Sequence, residues 1–150
     1  MTPDAVLVTR LGPNDASVAR QTFALMAEVF EEDREALSDR YVDRLLGRPD
    51  FWALAVIADG NVVGGLTAHT LMMTSTESAE VFLYDIAVHP DYQRLGLGSR
   101  LVNTLRRDAG ELGIEIVFVP ADDEDGHALD FYRALGATPS KVTFFQFGPV

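Results

Sequence analysis

The sequence predicts a single α/β domain built on a mixed sheet, and three observations carry that prediction. Apolar segments of strand character alternate with segments of helical spacing in the order β-α-α-β-β-β-α-β-α-β. No linker, internal repeat or low-complexity stretch interrupts the 150 residues, a length that fits one core. Ile114 to Val119 reads as a largely continuous apolar strand, as expected inside a sheet covered on both faces.

Taken in order, Ala5 to Leu11 is expected to form the first strand, with Val6 and Val8 alternating. Gly12-Pro13-Asn14-Asp15 breaks it and caps a helix from Ala16 to Phe30, whose buried stripe would be Val18, Phe23, Met26, Val29 and Phe30. A second helix, Ser38 to Leu46, presents Tyr41, Val42, Leu45 and Leu46. Phe51 to Ala58 is a strongly apolar strand, turned by Asp59-Gly60-Asn61 into Val62 to Met73 as an antiparallel hairpin. Gly64-Gly65 within it points to a bulge or to close approach by another backbone. Thr74 to Ala79 is a polar loop, and Glu80 opens a central strand, Val81 to Val88, apolar except for Asp85. His89-Pro90-Asp91 ends that strand. A helix starts at Leu97, with Leu97, Leu101, Leu105 and Leu112 at helical spacing and Gly113 as its C′ residue. After Ile114 to Val119, His127 to Leu135 is a short helix closed by Gly136, and Lys141 to Phe147 a last strand.

Strand, glycine loop and helix start at Gln93-Arg94-Leu95-Gly96-Leu97-Gly98 form an arrangement suited to a phosphate. The first turn of a helix offers free N–H groups and the positive end of the dipole. Glycine lets an anion approach the backbone closely and permits φ > 0. Arg94, Arg100, Arg106 and Arg107 add local positive charge. A lone G-x-G also serves simply to shape a turn. There is no G-K-[ST] of a P-loop, and Leu101 stands where a dinucleotide fingerprint needs its third glycine.

Gln93-x-x-Gly96-x-Gly98, after a strand ending Ile86-Ala87-Val88, resembles the acyl-CoA pyrophosphate loop of the GNAT superfamily of N-acetyltransferases. Ala128-Leu-Asp-Phe131-Tyr132-Arg-Ala-Leu135-Gly136-Ala137 resembles that superfamily's late helix. Within the superfamily, Phe82-Leu-Tyr-Asp85-Ile-Ala-Val88 and the acidic loop Ala121-Asp-Asp-Glu-Asp-Gly126 look closest to the aminoglycoside 3-N-acetyltransferases. One departure is Asp125, where the superfamily often has asparagine. The resemblance implies a mainly antiparallel sheet with a splayed central strand pair, flanked by about four helices. It also implies acetyl-CoA as cosubstrate, held by Ile86, Ala87, Val88, Gln93, Arg94, Leu95, Gly96, Leu97, Gly98, Ser99 and Tyr132, with the paired first helices bordering the acceptor.

A net charge of -11 argues against a nucleic-acid partner and suits a polycationic small-molecule substrate. Acidic surfaces also serve solubility alone. With no cysteine, there is no disulfide, thiolate nucleophile or thiolate metal site. His69, His89 and His127 are scattered, so no metal is expected. No long apolar run or basic leader appears, so the expectation is a cytoplasmic protein without a membrane partner.

The expected chemistry is direct attack of an amine on acetyl-CoA in a ternary complex, where proximity supplies much of the acceleration. An ammonium group must first lose its proton. Asp85, a carboxylate in an apolar strand, is the leading base, with Glu80 or water as alternatives and a structural hydrogen bond as the plain reading. N–H groups near Ile86 to Val88, freed if the strand is bulged there, would meet the thioester carbonyl. Tyr132 would protonate the leaving thiolate or only position the cofactor. Glu28, Glu31 and Glu32 at the first helix end, with Glu80, Asp85, Asp122, Asp123, Glu124 and Asp125, would bind the cationic substrate; solvated helix ends and loops are the simpler account of several of them. Competing functions are acetylation of polyamines, small amines or protein N-termini, and non-catalytic acyl-CoA binding. Val142, Phe144, Phe145 and Phe147 on the last strand, with the resemblance, suggest a homodimer.

Overall fold

The computed structural model describes residues 3–150. They form two compact units, one ending at Pro120 and the other running Ala121–Val150.

The first unit is a five-stranded sheet in sequence order with three α-helices. Strands β1 (Val6–Arg10), β2 (Phe51–Ala58), β3 (Asn61–Met72) and β4 (Ala79–Val88) pair antiparallel, and β5 (Ile116–Phe118) runs parallel to β4. The β2–β3 hairpin turns on Asp59 and Gly60, with φ of 49° and 82°. Positive φ at both central residues matches the twist of the flanking strands, which is why an Asp-Gly pair suits this turn.

Helices α1 (Ala16–Val29) and α2 (Asp39–Leu46) cover one sheet face, where Ala19, Val42 and Leu46 meet Phe51, Ala53 and Ala55. The α1 stripe differs from expectation: Ala19, Thr22, Leu25, Met26 and Ala27 are buried, whereas Val18, Phe23, Val29 and Phe30 are only partly so. The cause is Gly65, where an added Cβ would stand 2.3 Å from the Thr22 methyl and 3.0 Å from Met26 Sδ. The helix lies so close to the sheet that small residues must face it. Thr22 is satisfied there, its hydroxyl donating to the Val18 carbonyl at 2.8 Å. Gly65→Ala should therefore cost about 1–3 kcal/mol through overpacking. Thermal unfolding should show a fall of roughly 2–4 °C per kcal/mol, and an unchanged midpoint would contradict the close packing.

Helix α3 (Leu97–Glu111) packs on β2, β3 and β4 through Leu97, Leu101, Val102, Leu105 and Ala109. Its end is a Schellman motif: Ile114 N donates to Ala109 O and Gly113 N to Gly110 O, both at 3.0 Å, with Gly113 at φ 79°. Leu112, which shares the helical spacing, lies just beyond that end and is exposed.

Two further expectations need correction. The strand expected over 114–119 is regular only at 116–118, and as the sheet's terminal strand it leaves Ile116 exposed rather than covered on both faces. In the second unit α4 (Gly126–Ala134) is closed by Leu135 as its C-cap and Gly136 just beyond it at φ 91°, close to expectation. The last strand does not form: residues 137–150 carry no regular element, and Val142, Phe144, Phe145 and Phe147 are exposed. Apolar alternation gives a segment strand propensity, but a strand exists only where a neighbour supplies the ladder.

Candidate active site

The site in the first unit is built along β4 and the loop that follows it. From Ile86 to Val88 the strand pairs with Leu66, Gly65 and Gly64 of β3, whereas β5 meets β4 only from Glu80 to Phe82. Beyond Phe82 the β5-side edge of β4 therefore has no ladder partner among the described residues, and its N–H groups are open to a ligand. The freed edge comes from this splay. The bulge itself falls upstream of the expected place, where Thr67 pairs with Asp85 and Ala68 with Leu83, leaving Tyr84 as the extra residue.

The end of β4 is pinned by several bonds. His89 N donates to the Val63 carbonyl at 2.7 Å, and His89 Nδ1 accepts from Asp91 N at 3.1 Å, capping a 3₁₀ turn over Pro90–Tyr92. Gln93, expected at the cofactor, donates its side-chain amide to the Val88 carbonyl at 2.9 Å and so ties the loop to the strand. Arg94 and Gly96 both adopt left-handed conformations, φ 63° and 77°, which swing the chain into α3. No side chain caps α3. Ser38 caps α2 and Asp125 caps α4, whereas Asp15, expected to cap α1, accepts instead from Gly12 N at 2.8 Å and leaves that helix uncapped as well. What distinguishes α3 is that the open N–H groups of Leu97, Gly98 and Ser99 follow directly on the glycine loop after β4. A Cβ added at Gly96 would meet nothing within 4 Å, so no neighbour crowds the backbone where the helix opens. With Arg94 and Arg100 exposed beside them, the residues present fit a diphosphate.

Asp85 lies half-buried in β4, and burial pushes its carboxyl above the ordinary value; the Arg34 guanidinium acts in the opposite direction and Glu32 adds to the rise. Arg34 and Glu32 are themselves paired at 2.5 Å, and Arg34 sits 5.8 Å from the Phe30 ring centroid. They are presented by a second Schellman motif, in which Glu32 N donates to Ala27 O and Glu31 N to Glu28 O, both at 3.0 Å. Glu31 occupies its left-handed position at φ 55°, where glycine is usual. Glu28 and Glu31 are exposed at this helix end. Glu80 stands five residues before Asp85 on the same strand, roughly 16 Å away at ordinary strand rise.

Asp122 to Asp125 and Tyr132 belong to the second unit. Two of these carboxylates have local work: Asp122 Oδ1 accepts from Glu124 N at 2.9 Å, and Asp125 Oδ1 accepts from Ala128 N at 3.1 Å as the α4 cap. Asparagine caps a helix in the same way, so the departure at Asp125 preserves that bond. Among the described residues no group of three or more His, Asp or Glu side chains is placed to hold a metal ion, and no helix is long and apolar enough to cross a membrane. A surface depression of about 690 Å³, lined by the β3–β4 connection and the end of α3, lies at the opposite end of β4 from the loop.

A parted β-sheet edge beside an uncapped helix start, with a half-buried carboxylate on the same strand, is an arrangement that fits a phosphorylated ligand. Residues 19–137 match the acetyltransferase (GNAT) family, and the chain belongs to it. It is similar over its length to two solved aminoglycoside acetyltransferases from uncultured soil metagenomic samples. One is meta-AAC0020 in complex with sisomicin: 30% identity, TM-score 0.92, 97% of each chain. The other is HMB0005: 29% identity, TM-score 0.90, 97% of this chain and 99% of that one. A bovine (Bos taurus) thialysine N-ε-acetyltransferase is 28% identical over 78 residues, 52% of this chain and 46% of its own length. The chain spans less than half the length of the curated relatives it matches, 34% and 46%.

Proposed function

We propose that the protein transfers acetyl from acetyl-CoA to an amino group of aminoglycosides, the 3-amino group by resemblance, with both substrates bound together. The observation that carries the reading is the placement of Asp85 on β4, three residues before the strand ends and feeds the open amides of α3. When bound, acetyl-CoA supplies the activated thioester. The amides of Leu97 to Ser99 hold its diphosphate, and the free edge of β4 orients the carbonyl. Asp85 Oδ takes a proton from the acceptor's ammonium, leaving a neutral amine able to attack. Full-length likeness to aminoglycoside acetyltransferases supports the acceptor class, as do the chain's charge and the carboxylates of the α1 end and the 122–125 loop.

Thiol release with sisomicin, spermidine and thialysine tests the reading. Turnover of sisomicin well above the other two is expected. Preference for thialysine would favour the small-amine alternative that the bovine relative suggests, and silence with all three would end the assignment. By the resemblance alone, Tyr132 is the proposed acid for the departing thiolate. Tyr132→Phe should lower kcat by about 10²-fold, whereas an undiminished rate would restrict it to positioning. The homodimer belongs to the same proposal, and a sedimentation mass of 16.4 kDa, that of one chain, would exclude it.

Asp85 must be ionised to act, and its folded-state pKa is raised by burial. The acid limb of kcat/KM should therefore lie above the ordinary carboxylate range. Because Arg34 favours the ionised form, Arg34→Gln should move that limb to still higher pH. A limb that stays in place would show that Arg34 does not act on the base.

A further inference from the structure

Beside Asp85 the sheet carries a band of rings that this chemistry does not use. Phe51, His69, Phe82 and Phe118 occupy matched register positions on β2, β3, β4 and β5. Residues directly opposite in a ladder project to one face, so the rings run across four strands. Centroids are 5.4 Å apart for Phe51 and His69 and 5.0 Å for Phe82 and Phe118. Tyr84, the bulge residue, closes the middle of the band: its ring is 5.8 Å from His69, edge-on, and 5.6 Å from Phe82, stacked at 29°. Phe51 is buried, but Tyr84 is 62% exposed and offers a free aromatic surface. Asp85 pairs with Thr67, two residues from His69 on β3, so its carboxylate projects from the same face at the margin of the band.

We propose that Tyr84, braced by Phe82 and His69, is a specificity-determining residue on which an amino-sugar or aminocyclitol ring lies while one of its ammonium groups meets Asp85. The inference rests on the aminoglycoside reading and names the feature recognised, a ring face as well as charge. Such a ring presents C–H groups flanked by ammonium groups. An aromatic face covers the former and attracts the latter, and the carboxylate beside it completes the match. A linear polyamine carries comparable charge with no ring face, so it gains less from the band. A tyrosine already braced by two neighbouring rings also loses little freedom on binding.

Calorimetric affinities for sisomicin and spermidine, with steady-state KM and kcat for sisomicin, test this on wild type, Tyr84→Ala and Tyr84→Phe. The exposed side chain can be truncated without opening a cavity, and an unchanged affinity for acetyl-CoA checks that the fold is retained. Tyr84→Ala should weaken sisomicin roughly 5- to 30-fold, chiefly in KM, and spermidine by less than about twofold. Tyr84→Phe should keep wild-type affinity, since the ring face suffices. Unchanged sisomicin affinity in Tyr84→Ala would overturn the proposal, as would equal losses for the two ligands or a Tyr84→Phe defect as large as that of Tyr84→Ala. Wild-type protein that acetylates no aminoglycoside would overturn the underlying reading too, and that is measured first.

Discussion

Asp85→Asn should lower kcat by about 10²–10⁴-fold, the range for loss of a positioned general base. The same substitution should raise thermal stability at neutral pH. Burial lifts the folded-state pKa of Asp85 above its unfolded value, so the ionised carboxylate costs the native state free energy. That cost is present in full above the folded pKa and is relieved as pH falls through it. Asparagine keeps the shape without the charge. A gain in melting temperature with a collapse in turnover would mark a group kept for function against stability. Comparable loss of both would make Asp85 a structural residue, and intact turnover would transfer the base to Glu80 or water.

Gly96→Val should raise the Kd for acetyl-CoA by at least about tenfold. Gly96 stands at φ 77° immediately before α3, where an L-residue costs roughly 1–2 kcal/mol and a β-branched one more. No neighbour lies within 4 Å of the added Cβ, so the penalty is conformational. The chain can relieve the strain only by rotating the peptide that opens the helix, which turns the donors away. Unaltered affinity would mean that the first turn of α3 does not hold the cofactor.

Much of this was legible in the residues. Leu97, Leu101 and Leu105 mark the buried face of α3 because helical spacing maps directly onto one side of a cylinder, whereas Leu112, at the same spacing, falls past the helix end and is exposed. Asp59-Gly60 gave the hairpin because the turn demands positive φ at both positions. The α1 stripe was misread because its burial is decided by a glycine on another element, Gly65, which admits the helix so closely that alanine and threonine displace the larger residues. The bulge at Tyr84 leaves no mark in composition, and without the register it creates the band linking Phe51, His69, Phe82 and Phe118 stays invisible. Glu32 was a candidate for the cation, but Arg34 beside it carries no signal in the sequence, and only the fold brings both within electrostatic reach of Asp85. The segment 141–147 shows the converse: its alternating apolar residues are plain, but no ladder realises them.

The central claim is that the open amides after Gly96 hold a diphosphate and so deliver the acyl donor to β4. Equilibrium titration of acetyl-CoA against S-acetylpantetheine, which carries the thioester without the diphosphate, tests it most directly. Two charge-assisted hydrogen bonds predict at least about a 100-fold tighter Kd for acetyl-CoA. Equal affinity for the two, or no saturable binding of acetyl-CoA, would contradict the account.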